Sequence, residues 1–140
     1  MLVKPHGSSE LKPLLVPSTG LEFEKKIPMT TRELSDLLML GMGAYTPLNG
    51  FMGKSDWRTV CEDMKISTGL FWPIPITLST SKERVDTITL GDEAGLVDEE
   101  GRVFGSMLIN EIYEIDRDKE CMAVFGTKDP DHPGVAKVLE

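Results

Sequence analysis

Between Leu40 and Pro75 the chain sets Gly41, Gly43, Gly50, Gly53 and Gly69 among Tyr45, Phe51, Trp57, Phe71 and Trp72, with Pro47, Pro73 and Pro75 between them. No other stretch constrains the fold as strongly. Glycine admits tight turns and close backbone approach, proline fixes φ at about −65°, and aromatic rings supply the buried area that holds such a path in place. The stretch carries no reactive group. By composition and spacing it is a folding hub for an acidic domain of mixed α/β or mostly β character.

With 140 residues, 40% of them hydrophobic and 27% charged, the chain fits one domain that can bury a core without staples. Residues 1–60 carry 7 Lys/Arg against 6 Asp/Glu, and residues 61–140 carry 8 against 17, so the second part holds a charge of −9. Such a surface repels phosphate backbones and anionic lipid, which argues against nucleic-acid and membrane partners. No apolar run reaches the length of a membrane span or a signal peptide, and a cytoplasmic location is expected. Cys61 and Cys121 form no CxxC pair, so two reduced, half-buried thiols are expected.

Along the chain, residues 1–28 read as an extended arm, with Leu11, Leu14, Leu15 and Val16 as a candidate edge strand and Lys25-Lys26 as a solvated turn. Residues 29–140 follow as a barrel with helices. Thr30 and Glu33 have the spacing of a capping box, and the leucine periodicity predicts a helix from Thr31 to Leu40. Ser55 is the expected cap of a second helix, Asp56 to Met64. Beyond it the pattern turns to short β runs: Ile74 to Ser79, Val85 to Leu90, Ala94 to Val97, and Val103 to Ile115 with a bulge at Gly105. Asp116 is placed to cap a last helix, Arg117 to Phe125, before the loop GTKDPDHPGV. Five or six short strands with peripheral helices predict a mostly β, α+β fold built on a twisted, barrel-like sheet.

Chemistry is sparse. No GxxxxGK[ST] occurs, and the glycines of GMGAYTPLNGFMG follow a helix and lead into a proline turn, so they read as structural. His132 lies near Asp129 and Asp131, but no second His, Cys or Glu stands at ligand spacing, and a loop-fixing histidine bonded to backbone is the simpler reading. His6 lies in the arm. Glu99-Glu100 and Glu111, Glu114 and Asp116 have the pattern of solvated faces, and no G-x-S-x-G elbow supports a serine hydrolase.

Three ordered segments carry a resemblance. Gly43, Ala44, Tyr45, Thr46, Pro47, Leu48, Gly50, Phe51 and Met52 match a GA-[FY]-[ST]-P-L-x-GFM segment; Gly69, Trp72, Pro73, Ile74, Pro75 and Ile76 match G-x-x-[WF]-P-[IV]-P-[IV]; Val124 to Thr127, Asp129 and His132 to Val135 match [VA]-[FY]-GT-x-D-x-x-HPGV. Together they resemble the N-terminal region of the ATP sulfurylase (sulfate adenylyltransferase) family. The resemblance implies a PUA-like, partly open β-barrel and a full-length enzyme that condenses ATP and sulfate to adenosine 5′-phosphosulfate and pyrophosphate, with magnesium accompanying the nucleotide. In that family the chemistry lies in a following domain that bears Q-x-R-N-x-x-H-x-x-H and G-R-D-H-A-G segments. Neither segment occurs here, and with His6 and His132 as the only histidines an H-x-x-H pair is impossible. The resemblance therefore implies no catalytic, cofactor-binding or metal-binding residue in this chain. It implies a structural role, with Phe51, Trp72 and Pro73 as candidate contacts to the C-terminal catalytic domain or to further copies in a homo-oligomer. A stand-alone PUA-like module binding RNA or a small ligand is the alternative, for which a basic groove is the discriminating feature.

Overall fold

In the computed structural model, which describes residues 3–17 and 21–140, the elements follow in the order β1 (Lys25–Pro28), α1 (Thr31–Gly41), α2 (Lys54–Asp63), α3 (Lys82–Val85), β2 (Glu93–Val97), β3 (Val103–Leu108), α4 (Arg117–Phe125) and α5 (Pro133–Leu139). They fall into two units, Met1–Phe51 with Thr77–Ile112 and Met52–Ile76 with Tyr113–Glu140. The fold is α+β, and its sheet is open.

In the first unit the sheet has the order β1-β2-β3, with β1 parallel and β3 antiparallel to β2. The central position of β2 explains why every residue from Ala94 to Val97 is buried. Ile27, Met29, Ala94, Leu96 and Ile109 form the core, and Leu34, Leu37, Phe51, Leu78, Ile88 and Met107 pack against it. Gly95 is required by close approach: a Cβ there would lie 2.8 Å from the ring of Phe23. Leu96 faces Gly105 while Val97 faces Val103, so Phe104 is the extra residue of a bulge beside the expected glycine.

The helix α1 starts as its sequence requires. Thr30 Oγ1 accepts from the Glu33 amide and the Glu33 carboxylate accepts from the Thr30 amide, which completes the capping box.

Other expectations are corrected. The edge strand is Lys25–Pro28 and not Leu11 to Val16: Pro13 and Pro17 lack N–H donors, and the Leu14 amide goes singly to the Gly41 carbonyl. Lys25 and Lys26 are strand residues because Ile27 and Met29 beyond them are buried. Ile74 to Ser79 is no strand. Pro75 has no amide hydrogen, the Ile76 amide donates to Met52 Sδ and the Ser79 amide to Glu33, so no ladder is left to form. Val85 to Leu90 is likewise replaced by α3, capped by Ser81, and the turn after it. The strand β3 ends at Leu108, seven residues before the expected end at Ile115. Three strands, among the described residues, thus stand where five or six were expected.

In the second unit Gly53 and not Ser55 is the N-cap of α2, and no side chain caps it. Trp57 and Val60 are the buried residues of α2, which ends at Met64 in the left-handed region at φ 52°. The helix α4 has its expected cap, Asp116 Oδ1 accepting from the Lys119 amide at 2.9 Å, and ends at Gly126 with φ 70°. The helix α5 takes the place of the end of the expected loop, because Pro133 at the first helical position and His132 before it make a start signal.

Candidate functional site

The candidate contact residues sit in two settings. Phe51 is half-buried and packs against the core of the first unit. Trp72 and Pro73 belong to the second, in a loop that folds back after α2. Gly69, at φ 90°, makes the turn; its amide donates to Ile66 and the Ile66 amide to the Leu70 carbonyl, and Lys65 pairs with Phe71. The Trp72 amide then donates to the Met64 carbonyl at 2.8 Å. This geometry turns Trp72 inward, where it is 9% exposed, and leaves its neighbours outside: Phe71 is 55% exposed, Ile74 50%, and Pro73 is exposed with them. Pro75 and Ile76 are buried again, and the Met52 amide donates to the Ile76 carbonyl at 2.7 Å. The loop is therefore rigidly bonded at both ends and presents Phe71, Pro73 and Ile74 as an apolar surface. Sequence reasoning missed Phe71 and Ile74, because the segment does not alternate as a strand would: Pro73 and Ile74 are both exposed between the buried Trp72 and Pro75.

The first unit has apolar surface of its own. Leu38, Met39 and Met42 at the end of α1 are exposed, as are Leu11, Leu14, Leu15 and Val16, which are held along the chain by the Lys12 and Leu14 amides bonding Thr46 Oγ1 and the Gly41 carbonyl.

Residues weighed for chemistry are not brought together. His132 Nδ1 accepts from the Gly134 amide at 3.1 Å, which makes it the loop-fixing histidine expected, and His6 is exposed in a different unit. Glu99, Glu100, Glu111 and Glu114 are exposed, and Asp116 is engaged as a cap. Burial is the first influence on Asp98 and would raise its pKa, but hydrogen bonds from the Arg102 and Glu100 backbone and from the Arg102 guanidinium hold it below the ordinary carboxylate range.

Buried polar groups serve the fold. Glu33 is 1% exposed and accepts from the amide and hydroxyl of Thr30 and, across 46 residues of chain, from the amide and hydroxyl of Ser79. Burial raises the Asp36 carboxyl. Its partner Tyr45, which donates to it at 3.0 Å, is pushed up to about 12 by burial and then by the Asp36 charge. In the second unit Glu120, 3% exposed, accepts from Trp57 Nε1 at 2.9 Å. The Cys61 thiol is raised to about 11 by burial and by Glu120, and burial also raises Cys121; both are free thiols, and a raised thiol is a poor nucleophile. Among the described residues no three His, Cys, Asp or Glu side chains come together in a way that would hold a metal ion. No described helix is long and apolar enough to cross a membrane.

A single family model, that of the PUA-like domain, matches residues 3–140 and so runs through both units. The chain belongs to the PUA-like domain family. This PUA-like domain is also similar over 99% of its length to proteins named sulfate adenylyltransferase: 49% identical to one from Psychrobacter sp. (strain PRwf-1), 50% to one from Chlorobium chlorochromatii and 49% to one from Thiobacillus denitrificans. It spans 36% of the length of each of these relatives. Among solved structures, that of the hexameric APS kinase from Thiobacillus denitrificans superimposes with a TM-score of 0.68 at 26% identity, covering 82% of the PUA-like domain and 24% of that chain.

Proposed function

We propose that residues 1–140 act as one PUA-like domain at the N-terminal end of a sulfate adenylyltransferase, a cytoplasmic enzyme that condenses ATP and sulfate to adenosine 5′-phosphosulfate and pyrophosphate. The reading rests on one observation: near-50% identity along 99% of this chain, confined to 36% of the length of each relative. Stabilising a pentavalent transition state at a phosphate requires clustered cations and hydrogen-bond donors. Among the described residues no three His, Cys, Asp or Glu side chains could hold a metal ion, no step involving ATP or magnesium is assigned to this chain, and the chain alone is expected to be inactive. Its contribution is structural. The surface of Phe71, Pro73 and Ile74 beside Trp72, and the half-buried Phe51, are its contacts to a C-terminal catalytic domain, and the hexameric assembly of the structural relative supports further copies of the same protein as partners.

The test compares two backgrounds. Phe71→Ser with Ile74→Ser is made in this chain and in the chain joined to the remaining region of the Psychrobacter relative. In the chain alone these exposed positions change stability by no more than about 0.5 kcal/mol. In the joined protein the pair costs upwards of about 2 kcal/mol in urea unfolding, because two large apolar side chains leave a buried contact. Equal effects in the two backgrounds would refute the contact.

A further inference from the structure

The helix α5 has only seven residues, too few to persist on its own hydrogen bonds, so it depends on its ends. Its N-cap is His132, whose Nδ1 accepts from the amides of Gly134 at 3.1 Å and Val135 at 3.4 Å, the positions an N-cap serves. An accepting Nδ1 carries no proton, which places the ring in its neutral form with the hydrogen on Nε2. Packing fixes the ring there. It lies 5.0 Å from the Phe125 ring, and Gly134 is pressed so closely on Phe125 that a Cβ would come within 2.4 Å of it. Val135, next in the helix, is fully buried.

We infer that His132 is a proton-sensitive latch on α5: the neutral ring caps the helix, and protonation at Nδ1 releases it. The protonated nitrogen turns from acceptor to donor and confronts two N–H groups it had satisfied. Its charge also lies at the positive end of the helix. Among the described residues, His132 Nδ1 is the side-chain acceptor recorded for the Gly134 and Val135 amides. The charged groups on the surrounding elements are engaged with one another or elsewhere: Lys128 with Asp118, Lys119 with Glu62, Lys137 with Glu140, Arg117 with the Leu139 carbonyl and Glu120 with Trp57. In the turn that leads into the ring, Asp129 Oδ1 accepts from the Asp131 amide.

The test follows the Gly134 and Val135 amides of the whole chain by NMR from about pH 8 to about pH 5, the range in which imidazole side chains change charge. His132 ring resonances are recorded in the same samples. As the ring protonates, the two amides shift with it and their hydrogen-exchange protection, corrected for the intrinsic rate, falls about fivefold, the equivalent of about 1 kcal/mol for a lost cap. His132→Asn keeps a capping oxygen that does not titrate, and its amides stay protected across the range. Wild-type amides that do not move while the ring titrates, or an equal loss of protection in His132→Asn, would overturn the latch.

Discussion

Glu33 joins two distant parts of the first unit. Its carboxylate ties the start of α1 to Thr30 and reaches Ser79 in the same gesture, with four hydrogen bonds inside a 1%-exposed site. Replacing it with alanine strands these donors, and the expected loss is about 3 kcal/mol in urea unfolding; a loss below about 1 kcal/mol would show that water replaces them. Tyr45 gives a pH-dependent counterpart. Its phenol is raised from 10.0 to about 12 in the folded chain. The stability it adds is therefore complete below pH 10 and fades as pH rises toward 12. Phenolate absorbance in a Tyr113→Phe background should show one transition near 12, and a midpoint near 10 would contradict the part-buried pair with Asp36.

Elements whose signals are local were legible in the sequence. Thr30 and Glu33 announced α1, Asp116 announced α4, and the short β run Ala94 to Val97 announced β2. What stayed hidden depends on distant partners. The β-branched run from Ile74 has strand composition, but its amides are claimed by Met52 Sδ and Glu33, which no local pattern reveals. Trp72 likewise read as a contact residue, and only the bond from its amide to Met64 shows that the ring turns inward while Phe71 and Ile74 face out. The overlap of cap and proline at His132-Pro133 was a local signal for α5, masked by the two prolines and two glycines around it. At this scale the sheet makes a prediction through Gly95. Gly95→Ala drives a methyl group into the Phe23 ring, for a loss of about 1–3 kcal/mol. Combining it with Phe23→Ala should recover part of that loss in a double-mutant cycle, whereas strict additivity would mean that the two residues do not press on each other.

For the molecule as a whole, the open sheet, the acidic charge and the exposed apolar side chains are in keeping with the supporting role proposed for this domain. The charge of −9 over residues 61–140 speaks against a nucleic-acid groove. Burial holds the Cys121 thiol, His132 caps a helix, and the buried carboxylates Glu33 and Glu120 accept hydrogen bonds from their own unit. The most direct measurement is pyrophosphate release from ATP and sulfate in the presence of magnesium, made on this chain and on the chain joined to the remaining region of a sulfate adenylyltransferase relative. The expected result is turnover by the joined protein alone. Turnover by the 140-residue chain would contradict a structural role and direct attention to groups around His132.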